Sequence, residues 1–145
     1  GLCINRGILT EFGLYENSIL VKDFMNYVEW YFTRMRDSGR NENMLNIYTN
    51  KNTGEMKELF IGYPVTPFAC GMGFHFTLDG SVWVGDTIKH TFTGNLIHFR
   101  EDGQIDVGYF ENAKLINRYD VQKLIEIYED NSNEKVLIDN INYDF

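Results

Sequence analysis

Three histidines, two cysteines and two turn aspartates are the residues of this 145-residue chain whose types invite a chemical reading. His75 and His98 stand 23 positions apart, each inside a strand-like run, GFHFTL and LIHFR. A shared metal would need a third ligand and nitrogens within a few ångströms of one ion. Equivalent strands of successive hairpins lie two strand spacings apart, roughly 10 Å. The histidines are therefore read as exposed or half-buried sheet residues, and no metal is expected. His90 falls in a connection and has no evident partner. Cys70 would be a nucleophile only if a helix N-terminus or a basic cluster depressed its pKa, and neither flanks it. Cys3 and Cys70 form no Cys-x-x-Cys pair and cannot define a disulfide framework. Asp79 and Asp102 each precede a glycine, and turn chemistry accounts for both. No phosphate-loop, Gly-x-Ser-x-Gly or His-Glu-x-x-His pattern occurs. The expectation is a chain with no catalytic residue and no cofactor.

The elements that position these residues follow from hydrophobic period. MLNIYT (44–49) and MKELFIGY (56–63) flank a turn signal containing Gly54. MGFHFTL (72–78) and SVWVGD (81–86) flank Asp79-Gly80, and NLIHFR (95–100) and QIDVGYF (104–110) flank Asp102-Gly103. Asp-Gly between alternating apolar runs is a strong hairpin signal, because glycine supplies the positive φ the turn demands. Three consecutive hairpins are expected over 44–114. Residues 18–37 read as a helix, with Leu20, Phe24, Tyr27, Tyr31 and Met35 at 3.6-residue spacing, Ser18 as N-cap and Gly39 as stop. A second helix is expected over 120–130, capped by Asp120 and burying Val121, Leu124, Ile125 and Tyr128 on one face. VLIDNINYDF at the end adds a last strand or trails off. The expected fold is α+β, a single domain over 1–145, with the first helix covering one face of the hairpin sheet and the other face left open.

The last two hairpins repeat each other. A shift of 23 lays Gly73–Asp86 on Leu96–Tyr109 without a gap, with six identities in fourteen positions: His75 on His98, Phe76 on Phe99, Asp79 on Asp102, Gly80 on Gly103, Val84 on Val107 and Gly85 on Gly108. Gly62, Gly71, Gly73, Gly80 and Gly85 extend the ladder backwards. Over roughly residues 60–114 this spacing resembles the MORN repeat, in which an aromatic-x-Gly opening, a Gly-x-Gly pair and an Asp-Gly turn recur. Phe60-Ile61-Gly62-Tyr63 and Asp106-Val107-Gly108-Tyr109-Phe110 carry the opening. Phe110-Glu111-Asn112-Ala113-Lys114 is similar to the family's aromatic-x-Asn-Gly-Lys, with Ala in place of Gly. Departures are the aromatic displaced to Trp83, Pro67 and His90 where Gly is common, and Leu96 in place of the second Gly of its pair. The resemblance implies stacked hairpins and a scaffold or adaptor role.

Aromatics reach 15% of the chain, and large rings near the repeat glycines would border a shallow groove. Tyr63, Trp83, Tyr109 and Phe110, with His75 and His98, are the candidate partner-binding residues, since aromatics concentrate interface energy. Which sheet face they occupy depends on register. The net charge of −8 argues against nucleic acid, which requires clustered cations. The expected partner is another protein, with a basic one suited to the net charge, and a homo-oligomer through an edge strand is also open. No run reaches the roughly 20 apolar residues of a spanning helix, so no membrane insertion is expected, and cytoplasmic is the default location. Two functions remain in view. One is a non-catalytic protein-binding module or scaffold with an open sheet surface. The other is a small acidic inhibitor or immunity-type protein that blocks a basic toxin or nuclease.

Overall fold

The structure is a computed structural model, and it describes residues 1–6, 8–37, 45–49, 56–64, 71–88 and 91–130. The fold is α+β. The chain falls into two compact units, Gly1–Asn41 and Glu42–Phe145.

The first unit holds β1 (Leu2–Asn5), β2 (Ile8–Glu16) and β3 (Ile19–Asp23) in one antiparallel sheet of order β1-β2-β3, followed by α1 (Met25–Arg36). The helix read over 18–37 is thus corrected: its first six residues belong to a turn and a strand. Asn17 and Ser18 take φ +51° and +66°, the two positive values of a two-residue hairpin turn, and Ile19 and Leu20 pair back on β2. Ser18 is a turn residue and caps nothing. The Asp23 carboxylate instead accepts the Met25 N–H at 2.9 Å as the helix opens. Within α1, Val28, Tyr31, Phe32 and Met35 are buried, and the helix packs on β2 of its own unit.

The second unit is a seven-stranded antiparallel meander in sequence order. Its strands are β4 (Leu45–Thr49), β5 (Met56–Pro64), β6 (Gly71–Thr77), β7 (Val82–Thr87), β8 (Gly94–Phe99), β9 (Ile105–Glu111) and β10 (Lys114–Arg118), and α2 (Val121–Glu129) follows. All three expected hairpins form: β4 pairs with β5, β6 with β7 and β8 with β9. The 23-residue repeat holds in register, pair for pair. Gly71↔Thr87 through Phe76↔Val82 becomes Gly94↔Phe110 through Phe99↔Ile105. The two Asp-Gly turns match as well. The Asp79 carboxylate accepts the Ser81 N–H at 2.9 Å and the Asp102 carboxylate the Gln104 N–H at 3.0 Å. Gly80 and Gly103 take φ +89° and +86°. The N-cap of α2 is also as read, with the Asp120 carboxylate accepting the Lys123 N–H at 2.8 Å.

A second, longer repeat relates the two units. A shift of 95, which carries Gly13 to Gly108, lays β1-β2-β3 on β8-β9-β10. Leu2↔Phe12 and Cys3↔Glu11 become Ile97↔Val107 and His98↔Asp106. Tyr15↔Leu20 and Glu16↔Ile19 become Phe110↔Leu115 and Glu111↔Lys114, with Val21 and Ile116 bulged out at the same place. Asn112 and Ala113 repeat the turn, with φ +50° and +67°. After each hairpin one backbone bond closes the module, Phe24 N–H to Phe12 O at 2.8 Å and Tyr119 N–H to Val107 O at 3.1 Å, and a helix begins. The physical constraint shared by the copies is close approach. A Cβ on Gly13 would sit 2.0 Å from Lys22 O, and one on Gly108 would sit 2.1 Å from Asn117 O.

Helix α2 enters the sheet through one side chain. The β7–β8 ladder follows the β5–β6 register but stops at Gly85↔Leu96, two pairs short of the Pro64↔Gly71 end of its counterpart. At that stop the Tyr128 hydroxyl accepts the Asp86 N–H at 2.7 Å and donates to Asn95 O at 2.7 Å. Tyr128→Phe removes both bonds at a buried position and is expected to cost about 1–2 kcal/mol. Urea unfolding of the variant, with amide exchange at Asp86 as a local probe, checks this.

Candidate functional site

Register and alternation place one row of side chains across five strands: Phe60, His75, Trp83, His98 and Asp106 stand opposite one another in turn. The neighbouring row on the same face is Gly62, Gly73, Gly85, Leu96 and Gly108. Four glycines in five positions leave a trough beside the aromatic row, and rings fill it. The Phe60 ring lies over Gly73, where an added Cβ would meet it at 2.7 Å. Trp83 stacks on His98 at 3.7 Å between centroids with 9° between planes, and meets Phe110 edge-on at 5.0 Å. Phe92, from the connection between β7 and β8, stacks on the indole at 4.5 Å and meets His75 edge-on at 5.5 Å. Its carbonyl accepts the Ala113 N–H at 3.0 Å, which ties that connection to the β9–β10 turn.

Of the six candidate partner-binding residues, three are interior. His75 is 0%, Phe110 1% and Trp83 4% exposed. The reason is geometric, because the glycine trough and Phe92 together close the groove the sequence predicts. For His75 this corrects the exposed or half-buried reading. The opposite face is filled too: Met72, Phe74, Val84 and Ile97 are buried, and β7 is buried along its whole length. His98 and Tyr109 stay half-buried. Tyr63 of β5 pairs with Met72 of β6, and its side chain lies outside the described residues, as do Pro67, Cys70 and His90. No cluster of three or more metal-ligating side chains occurs among the described residues, and no described helix is long and apolar enough to cross a membrane.

Charge gathers at one end of the aromatic row. Asp106 receives Arg118 at 2.9 Å and Arg100 at 3.7 Å. The Asp79 carboxyl is held below its ordinary range by bonds from the Thr77 hydroxyl and from the Ser81 N–H and hydroxyl. Burial pushes the His98 pKa down and outweighs the carboxylates of Asp106, Asp79 and Asp102, which pull it up, while Arg100 adds to the lowering. The unfolded chain then binds this proton more readily than the folded one. Stability from His98 is complete above about pH 6.5 and is lost as pH falls toward the depressed folded value. Denaturant midpoints are expected to fall between pH 7.5 and 5.5, with a shallower fall in His98→Gln. Equal slopes in the two proteins would remove His98 from the account.

An open cleft lies elsewhere, in the first unit. It has a volume of about 560 Å³ and is lined by Gly1, Leu2, Cys3, Leu14, Tyr15 and Ser18. The Tyr15 hydroxyl donates to the Glu11 carboxylate, and this bond, ahead of the other contributions, raises the phenol pKa. Cys3 is a free, exposed thiol across the strand pair from Glu11. None of these residues is among the candidate partner-binding residues of the sequence analysis. The signal that finds them is Gly13-Leu14-Tyr15-Glu16-Asn17-Ser18 set against Gly108-Tyr109-Phe110-Glu111-Asn112-Ala113. Comparison with protein-family models, with curated proteins and with solved structures finds no match to this chain.

Proposed function

We propose that the chain is a non-catalytic protein-binding module of MORN-repeat type, acting as a scaffold or adaptor. The observation that supports it best is the set of sheet edges that no strand fills among the described residues. Among the described residues β1, β3 and β10 each carry a strand on one side only. Such edges present unpaired backbone groups, and extended partners add to them by strand pairing. Apolar side chains accompany them: Ile4 on β1, Ile19 and Val21 on β3, and Ile116 on β10 are exposed. Edge pairing also accommodates a second copy of the chain. The 23-residue glycine ladder, with its repeated register, supports the resemblance to the MORN repeat.

The net charge of −8 favours a basic partner and keeps a second reading in play, an acidic inhibitor or immunity-type protein that blocks a basic toxin or nuclease. Affinity capture on the immobilised chain, followed by measurement of association rate against salt, tests both. A scaffold retains several structural partners with modest salt dependence. An inhibitor retains one basic protein whose association slows steeply as ionic strength rises. Failure to retain any protein contradicts both readings.

A further inference from the structure

We propose that α2 is a releasable latch, and that its departure lets the β7–β8 ladder close on itself. The inference goes beyond the protein-binding reading and stands whether or not that reading does. Its basis is the place of the Tyr128 hydroxyl. Bonded pairs alternate along an antiparallel ladder, so every second residue of β7 bonds β8. The Ile88 N–H donates to Thr93 O at 2.8 Å, beyond the point where the ladder stops at Gly85↔Leu96. Ile88 with Thr93 continues the spacing of Val84 with Ile97, so one register runs on both sides of the interruption. The bonded pair between them would be Asp86 with Asn95. There the Asp86 N–H donates to the Tyr128 hydroxyl, and that hydroxyl donates to Asn95 O, each at 2.7 Å. A phenol oxygen thus occupies the slot of one ladder hydrogen bond. In the β5–β6 interface the corresponding pair, Tyr63↔Met72, lies within an unbroken ladder.

Closing the gap needs no slip of the strands, because both flanks already share one register. Release also strands no buried polar group. The Asp86 N–H passes from the phenol to Asn95 O, and the freed hydroxyl is hydrated. The hold on α2 then comes from burial of Leu124 and the Tyr128 ring. The hinge is marked as well. Tyr119 is fastened to the sheet, its N–H donating to Val107 O at 3.1 Å and its hydroxyl to the Asn95 side-chain oxygen at 2.6 Å. The helix swings from Asp120, and the face it frees carries Leu124 and Tyr128. Such a two-state element shifts with whatever binds one state better than the other.

Nuclear magnetic resonance on the full chain tests this with Tyr128→Ala and Tyr128→Phe. Alanine removes the wedge, whereas phenylalanine keeps a ring in the gap with no hydroxyl to bridge it. With alanine, the amides from Leu124 to Ile127 should lose protection about tenfold or more, while the Asp86 amide stays protected. A coupling across the new hydrogen bond, from Asp86 N to the Asn95 carbonyl carbon, should appear. With phenylalanine, the Asp86 amide should exchange about tenfold faster than in the alanine variant. The larger truncation thus leaves the better-protected amide, an order that a merely structural tyrosine would reverse. Fast exchange at Asp86 in Tyr128→Ala, or no coupling from Asp86 to Asn95, would overturn the proposal. If Tyr128→Ala does not fold, the unaltered chain decides. Its amides from Leu124 to Tyr128 should show protection factors about tenfold or more below that of Asp86, since Asp86 keeps a partner after α2 opens. Equal protection in α2 and at Asp86 would mean that the two open together, and the latch would fall.

Discussion

Trp83→Ala is expected to cost the second unit about 3–5 kcal/mol, the range for truncating a large buried ring, and to leave much of that unit unfolded at ordinary temperature. The indole is the hub of the aromatic row, stacked on His98 and Phe92 and edge-on to Phe110, with Leu96 and Leu115 completing its surroundings. Removing it opens a void that the close-packed sheet cannot collapse to fill, and it strips Phe92 of the ring it covers. Trp83→Phe keeps a ring in the stack and should cost distinctly less. Urea unfolding followed by far-UV circular dichroism separates the cases, since the substitution removes one of the chain's two tryptophans and leaves Trp30. A folded Trp83→Ala protein within about 1 kcal/mol of the original would return Trp83 to the surface role its sequence position suggests.

Gly62→Ala is the second large effect, expected at roughly 3 kcal/mol or more. At φ +156° a Cβ would lie 2.1 Å from the Met72 carbonyl oxygen and 2.6 Å from the Gly73 Cα, both backbone atoms of the paired strand. Neither can rotate away, so the relief available is to part β5 from β6. Gly80 provides the control. Its φ is +89°, but the nearest atom to an added Cβ is 3.6 Å off on the exposed side chain of Glu101. Gly80→Ala therefore carries the left-handed penalty of about 1–2 kcal/mol without a backbone collision. Thermal or urea unfolding should rank Gly62→Ala well below Gly80→Ala. The reverse order would mean that the glycine row is not set by close approach.

The hairpins were legible because period and turn chemistry agreed: alternating runs met at Asp79-Gly80 and Asp102-Gly103, and both turns formed in the register that the 23-residue repeat implies. The start of the first helix was not. Leu20 and Phe24 happen to fall on the 3.6-residue stripe, and Asn17-Ser18 is a weaker turn signal than Asp-Gly, so a hairpin strand was read as a first helical turn. The fate of the aromatics was hidden for a different reason. Alternation put His75 and His98 on equivalent faces of their strands, yet the covering of His75 and Trp83 involves Phe92, which lies in a connection outside any periodic run. Tyr128 was read as the buried edge of a helix, and its hydroxyl's place between two strands has no local signature. The cleft of the first unit escaped notice because its module shares few identities with the later copy. Glycine, glutamate, asparagine and leucine recur at Gly13, Glu16, Asn17 and Leu20, while pairs such as Cys3 with His98 and Ile19 with Lys114 differ in type.

The central claim is that one hairpin module occurs in both units, with the same register, bulge and turn in β1-β2-β3 and β8-β9-β10. Residue-resolved amide hydrogen exchange addresses it directly. The amides of β2 that bond β1 and β3 should exchange slowly, as should those of β9 that bond β8 and β10, and Val21 and Ile116, bulged at the same place, should exchange faster than their paired neighbours. Fast exchange throughout β2 beside protection in β9 would contradict the account, because the first copy of the module would not be formed.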